Sequence, residues 1–323
     1  MGKSMKGIER MDTFNTSDII NKYDTTNYNF ELGAEFLTRL NHTSQTLVAQ
    51  GPTGTLLVAE TSGENIPAAF WNMAEPSTIE YIHRLYCAAG AEVLITNTFQ
   101  ANRRSLDEDD IFASVDSVCD YAVRSALLPE ASYILGSVGP VGNLEVGYRD
   151  DSEEYALAHA LYCEQIHALL NAGAHGILLE TFSSINQLAP ALRAANDVAA
   201  DMPVLVSFAI NEEGNLLDDV MNIEGAIIWA EKHGAHSVGI NCCSVETAEA
   251  VVPRMIAAAR TPVTVRPSAG VPERTGDGNL EWDNIDDEMS RLAPLWRDAG
   301  VSMIGSCCGT NQATTCSIVD ALQ

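Results

Sequence analysis

From about Thr46 to its end the chain repeats one pattern: a short apolar run of strand length, then a longer stretch with apolar residues at helical spacing. The runs are Thr46–Ala49, Glu92–Thr96, Tyr133–Val138, Gly176–Leu179, Val204–Phe208, Ser237–Ile240, Val263–Arg266 and Met303–Gly305. Helical patterns lie near 77–89, 108–127, 152–172, 184–199, 222–233, 245–259, 284–298 and 311–322, with Ser77, Ser152 and Ser184 as N-caps. Ala-Gly pairs at 89–90, 172–173 and 299–300 stop three of them just before the next strand. Eight such units predict an α/β chain folded as a (β/α)8 TIM barrel. An open doubly wound sheet fits less well, because Gly51-Pro52-Thr53-Gly54 lacks the glycine spacing of a dinucleotide-binding turn.

Ahead of the repeat, Phe30, Leu32, Phe36, Leu37 and Leu40 recur at near-helical spacing. This divides the chain into an N-terminal helical extension, 1–45, and a barrel domain, 46–323. The extension is expected to cap the barrel or to meet another subunit as an oligomer contact. No linker or low-complexity tract splits the remainder.

The formal charge is −26, from 44 acidic against 18 basic residues. Phosphate contacts need a basic face that such a chain can hardly assemble, so nucleic acid and anionic membranes are excluded as partners. There is no apolar run of about eighteen residues and no signal-like start. Eight cysteines are few for this length and lie within periodic segments, which fits a reducing, cytoplasmic setting.

The cysteines carry the chemistry. Cys307 and Cys308 sit side by side between Gly305-Ser306 and Gly309, directly after the last apolar run. Adjacent cysteines rarely bridge each other, whereas flanking glycine lets both sulfurs face one point. A third sulfur is offered by Gly239-Ile-Asn-Cys-Cys243, again where a strand gives way to a loop. In a barrel the C-terminal strand ends form the active face, and Cys242 follows strand six while Cys307 and Cys308 follow strand eight. Three thiolates with an open fourth position make a catalytic type of zinc site. Cys87, Cys119, Cys163 and Cys316 fall in helical patterns and read as small buried residues.

Four motifs, in order, resemble the homocysteine S-methyltransferase family: Thr96-Asn-Thr-Phe-Gln-Ala101, Glu180-Thr181, Gly239-Ile-Asn-Cys242 and Gly305-Ser-Cys-Cys-Gly-Thr310. The resemblance runs from about Thr46 to the C-terminus. It implies a Zn2+-dependent barrel that methylates homocysteine to methionine, with Cys242, Cys307 and Cys308 as ligands and Cys243 as a neighbour. It further implies that Glu180 holds the amino group of homocysteine and that amides of the Gly51–Thr55 loop, including Thr53, meet its carboxylate, with Ser137 nearby.

The chain departs from the family at Gln50, where an aspartate is usual, at Ser306, which replaces a glycine, and in Pro267-Ser-Ala-Gly270. Betaine-using relatives carry tyrosines where this chain has Gln100 and Thr181, so the resemblance favours a sulfonium donor such as S-methylmethionine. A cationic donor wants an aromatic wall, and Trp71, Phe99, Tyr148 and Phe182 are candidates for it. Two other readings are a homocysteine-activating subunit fed by a corrinoid or folate carrier on a partner, and a non-catalytic zinc-binding protein. The latter would need a fourth fixed ligand, and His236, the nearest histidine, should lie at the opposite end of strand six.

Overall fold

The structure is a computed structural model that describes residues 23–42, 45–60, 66–142, 152–274 and 280–323. Eight parallel strands form the barrel: β1 (Leu47–Val48), β2 (Val93–Ile95), β3 (Tyr133–Val138), β4 (Gly176–Phe182), β5 (Val204–Phe208), β6 (Ser237–Asn241), β7 (Val263–Arg266) and β8 (Val301–Ile304). Each pairs with its sequence neighbours, and β8 pairs with β1. Closure between β1 and β2 is made by a parallel bridge, Ala49 to Val93, where Glu92 N–H donates to Val48 O and Gln50 N–H to Val93 O, both at 2.9 Å.

The strands are apolar on both faces because both are buried. Leu47, Ala49, Val93, Ile95, Leu135, Leu178, Leu205 and Met303 fill the inside, while a larger cluster packs the outside of the strands against the helices. All eight expected strands are present, three with the expected bounds and five with one or both ends shifted by up to three residues. Ser152 and Ser184 cap their helices, accepting from Tyr155 N–H (3.0 Å) and Gln187 N–H (3.3 Å). Gly90, Gly173 and Gly300 take the positive φ at which the three helices stop.

Several expectations are corrected. Ser77 caps nothing: Glu75 precedes that helix, with Pro76 in its first turn. The pattern near 108–127 is helical only over Val115–Leu127; a separate helix, Arg103–Glu108, ends where the pattern begins, and between them Asp110 turns left-handed (φ 55°) and Phe112 points into solvent. The β1–β2 connection carries two further short helices, Gly54–Glu60 and Ala68–Ala74, and a two-stranded antiparallel hairpin (Glu273–Arg274 with Leu280–Glu281) follows β7. Of the four helix-borne cysteines, Cys119 and Cys163 are buried as expected, whereas Cys87 is half-buried and Cys316 is exposed.

The helix Phe30–Leu40 serves as the barrel's floor. Phe36 and Leu40 are fully buried and join the interior cluster, with the Phe36 ring 5.1 Å from that of Tyr133 at the start of β3. Tyr133 donates to Glu35 at 2.9 Å, and Arg39 pairs with Glu92 at 3.5 Å. A boundary at residue 45 therefore parts in sequence what packs together in space. Among the described residues no helix is long and apolar enough to cross a membrane.

Replacing Phe36 with alanine opens a cavity under the barrel and should cost about 3–5 kcal/mol of stability, read as a lower denaturant midpoint. A stability within about 0.5 kcal/mol of wild type would show that the helix is not part of the floor.

Candidate active site at the strand ends

Strand β6 ends at Asn241, and Cys242 then turns left-handed (φ 56°), a conformation uncommon outside glycine. Strand β8 ends at Ile304 and leads into Cys307 and Cys308. Strand β7 lies between them, and its loop ties both cysteine segments by backbone hydrogen bonds: Cys307 N–H to Pro267 O (2.7 Å), Ala269 N–H to Cys308 O (2.9 Å) and Ser268 N–H to Cys243 O (2.8 Å). The Thr310 hydroxyl lies 2.8 Å from both Ser306 Oγ and Cys307 O, so the serine that replaces a glycine is absorbed into the turn.

The three Sγ atoms converge, at 2.9 Å for Cys242–Cys307, 3.9 Å for Cys242–Cys308 and 4.0 Å for Cys307–Cys308. Zinc–sulfur bonds of about 2.3 Å in a tetrahedron set sulfurs about 3.8 Å apart, so two of the three edges already match. The cluster also wants a cation. Hydrogen bonds from Cys242 and Cys307, with help from Thr55, draw the Cys308 thiol down to about 3, while contact with Cys307 and Cys308 plus burial raises Cys242. Cys307 is pulled down by Cys242 yet ends raised, through Cys308 and burial. Sulfurs packed this closely raise one another's cost of ionising, a cost that a divalent thiophilic ion relieves. Among the described residues no fourth histidine, cysteine or carboxylate joins the group. His236 accepts from Val204 N–H at the opposite end of the barrel, and Cys243 is buried outside the cluster.

Above the sulfurs opens a cavity of about 370 Å³. It gathers the residues assigned from the sequence to the metal and the acceptor: Gln50, Gly51, Thr53, Phe99, Ser137 and Glu180 line it together with the three cysteines. The β4–β5 register shifts between Leu179 and Phe182, and Thr181 there takes φ 64°, a bulge that aims Glu180 into the barrel mouth. Ser137 donates to Glu180 Oε1, and Arg266 donates to Oε2 at 2.6 Å. Asn241 holds the bulge, accepting from Thr181 N–H (3.1 Å) and Ser207 Oγ (2.6 Å) and donating to Thr181 Oγ1 (2.7 Å).

Gln50 is buried with its amide engaged on both sides. Oε1 accepts from Ile95 N–H and from His83 Nδ1, each at 3.0 Å, which turns Nε2 toward Gly51 O and Thr53 Oγ1, both 3.2 Å away. Of the candidate aromatics only Phe99 lines the cavity, lying against Gly139 so closely that a Cβ there would fall 2.4 Å from its ring. Phe182 packs away from it against Tyr162 (6.2 Å) and Trp71 packs beside the Leu57 cluster. Tyr148 lies outside the described residues. Gln100 is exposed and stands off the cavity, whereas Thr181 lines it.

Reading the sequence missed two polar members. Arg266 and Asn241 appeared there as a strand end and a motif letter, although a charged residue closing the apolar run Val263–Val265 was the available signal.

Burial holds the His83 imidazole down to about 4, below its value in an unfolded chain. The folded state thus binds the proton less well, so stability present above about pH 6.5 is lost as pH falls toward 4, on the order of 3 kcal/mol. His83→Asn, which keeps a donor for Gln50, should flatten the stability curve in that window; an unchanged slope in denaturant melts across pH 4–7 would contradict this.

The comparisons agree with this geometry. The family model described as "Homocysteine S-methyltransferase" matches residues 47–322. The chain is 31% identical over 257 residues to a methionine synthase of Mycobacterium leprae (74% of this chain, 21% of that protein) and 29% identical to the homocysteine S-methyltransferase of Escherichia coli (79% and 88%). It thus spans about a fifth of the length of the methionine synthases it matches. Among solved structures, the metallated form of the Escherichia coli homocysteine methyltransferase MmuM superposes with a TM-score of 0.69 at 21% identity, covering 84% of this chain and 95% of that one. The oxidized form of the same protein gives 0.71 at 22% identity over 88% and 99%. A match across nearly the whole barrel, on a chain with the cysteine cluster in place, shows that this protein belongs to the homocysteine S-methyltransferase family.

Proposed function

We propose that the protein is a zinc-dependent methyltransferase that moves a methyl group from a sulfonium donor to the thiol of homocysteine, giving methionine. The observation that carries the reading is the convergence of Cys242, Cys307 and Cys308 on one point beneath a cavity also walled by Glu180. A metallated form of the structural neighbour supports the metal.

Cys242, Cys307 and Cys308 would hold the ion, and bound zinc supplies an open position at which a thiol gives up its proton and stays nucleophilic at neutral pH. The chain's own groups do the rest. Glu180, fixed by Ser137 and Arg266, faces the amino group of the acceptor. Gly51 and Thr53 lie on the loop where its carboxylate would rest. Pro52, Ala68, Ile95 and Phe99 give the cavity an apolar wall. Attack of a thiolate on a cationic donor destroys charge, so a wall of low polarity favours the transition state over the separated ions, and no general base is required.

The donor follows from leaving groups and walls. A neutral thioether leaves a sulfonium more readily than an amine leaves a quaternary ammonium. A trimethylammonium also wants several aromatic faces, and the cavity offers Phe99 alone among its described lining. Of the two tyrosine positions of betaine users, Thr181 is closed to simple repair, because it sits at positive φ inside the Asn241 network, and Gln100 stands off the cavity. A second reading, delivery of the methyl by a corrinoid or folate carrier on a partner, is favoured by the similarity to methionine synthases. A cytoplasmic location and an oligomer formed through residues 1–45 belong to the same proposal, although the apolar face of the Phe30–Leu40 helix already covers the barrel.

Cys307→Ala should abolish both zinc retention through dialysis and methyl transfer, and full zinc occupancy in that variant would overturn the ligand set. Zinc-loaded protein given homocysteine should turn over S-methylmethionine with a kcat/KM at least about tenfold above that for glycine betaine. Equal or better turnover of betaine would sink the sulfonium reading, and turnover only with a methylated carrier would favour the second one.

A further inference from the structure

Arg266 ends the strand between the two that carry the cysteines. It stands in register with Asn241 of β6, and Gly305 N–H of the β8 loop donates to Val265 O at 3.0 Å. From there its guanidinium crosses the barrel mouth to Glu180 on β4, Nη2 to Oε2 at 2.6 Å. The side chain is 4% exposed, and its Nε is buried with no partner. A buried cation is costly unless it is paired, and Glu180 is its one ion-pair partner among the described residues. Because Nε is sealed off, Arg266 does not meet the acceptor through it. The carboxylate is what it holds.

Resting on the assignment of Glu180 to the acceptor's amino group, we propose that Arg266 is a positioning residue that sets specificity. By clamping Oε2 while Ser137 occupies Oε1, it fixes the plane of the Glu180 carboxylate, so that the site selects thiols bearing an α-amino group over thiols without one. The adjoining position of the acceptor pocket cannot take over this task, since the amide of Gln50 is neutral and bound to His83, Ile95, Gly51 and Thr53.

The test compares wild type, Arg266→Met, Arg266→Lys, Glu180→Gln and the double variant Arg266→Met/Glu180→Gln. Two acceptors are used, homocysteine and 4-sulfanylbutanoate, which is homocysteine with hydrogen in place of the amino group. Zinc content and the equilibrium affinity for methionine, which shares the amino-acid end and needs no thiolate, are measured alongside.

Arg266→Met should raise KM for homocysteine and weaken methionine about ten- to a hundredfold while zinc stays at one per chain. Turnover of 4-sulfanylbutanoate should change by less than about threefold, and lysine should restore part of the loss. Should Arg266→Met not fold, the double variant, which removes both charges, decides: affinity equal to that of Glu180→Gln shows that the arginine acts through the glutamate. A further drop in the double variant, an equal loss with both thiols, or loss of zinc with an unchanged thiol preference would overturn the proposal. A wild-type protein that methylates no thiol would instead overturn the functional reading on which it rests.

Discussion

Everything at the top of this barrel depends on closure between β1 and β2. Those strands are the shortest of the eight, two and three residues, and they meet through one bridge and two flanking backbone hydrogen bonds. The next rung is made by a side chain: Ile95 N–H, which a longer β1 would satisfy with a carbonyl, is accepted by Gln50 Oε1. The glutamine that departs from the family's acidic residue therefore continues the seam. An orphaned backbone donor at this depth would cost roughly 1–3 kcal/mol, and the closed seam is what fixes the Gly51–Thr55 loop over the cysteine cluster.

A second constraint is electrostatic. Three sulfurs and a carboxylate share a buried mouth with Arg266, the one cation in its described lining, and a chain of −26 supplies little long-range relief. Such a mouth favours positive visitors, among them the ion and the cationic donor proposed above. Its neighbours are arranged accordingly. Asn241 braces the Thr181 bulge with its amide and also stands 3.4 Å from Cys242 Sγ and 3.8 Å from Cys307 Sγ, so a neutral donor couples the carboxylate's strand to the sulfurs' strand.

The barrel was legible because its strands are buried on both faces and so read as uninterrupted apolar runs, and because the cysteines stand at the ends of those runs. What escaped was set by contacts distant in sequence. Arg266 acquires meaning only when β4 is seen opposite β7. The break at Asp110 and Phe112 needs a left-handed turn that an aspartate tolerates, which periodicity does not register. Glu180 was picked out by its motif and placed just past a strand ending at Leu179, whereas β4 runs on to Phe182 through the bulge that aims it. Nothing in the helical spacing of 30–40 distinguished a floor inside the fold from a patch for a partner.

That floor has a consequence for how the molecule is delimited. The family's homology begins at residue 47, yet the plug formed by Phe36 and Leu40 comes from before it. A polypeptide trimmed to its homologous core would present an open well of leucine, valine and methionine side chains at the end remote from the chemistry. Water would enter there, and two such wells would find each other, so the minimal unit drawn from homology would be the sticky one. The unit of inheritance and the unit of folding thus differ here by one helix.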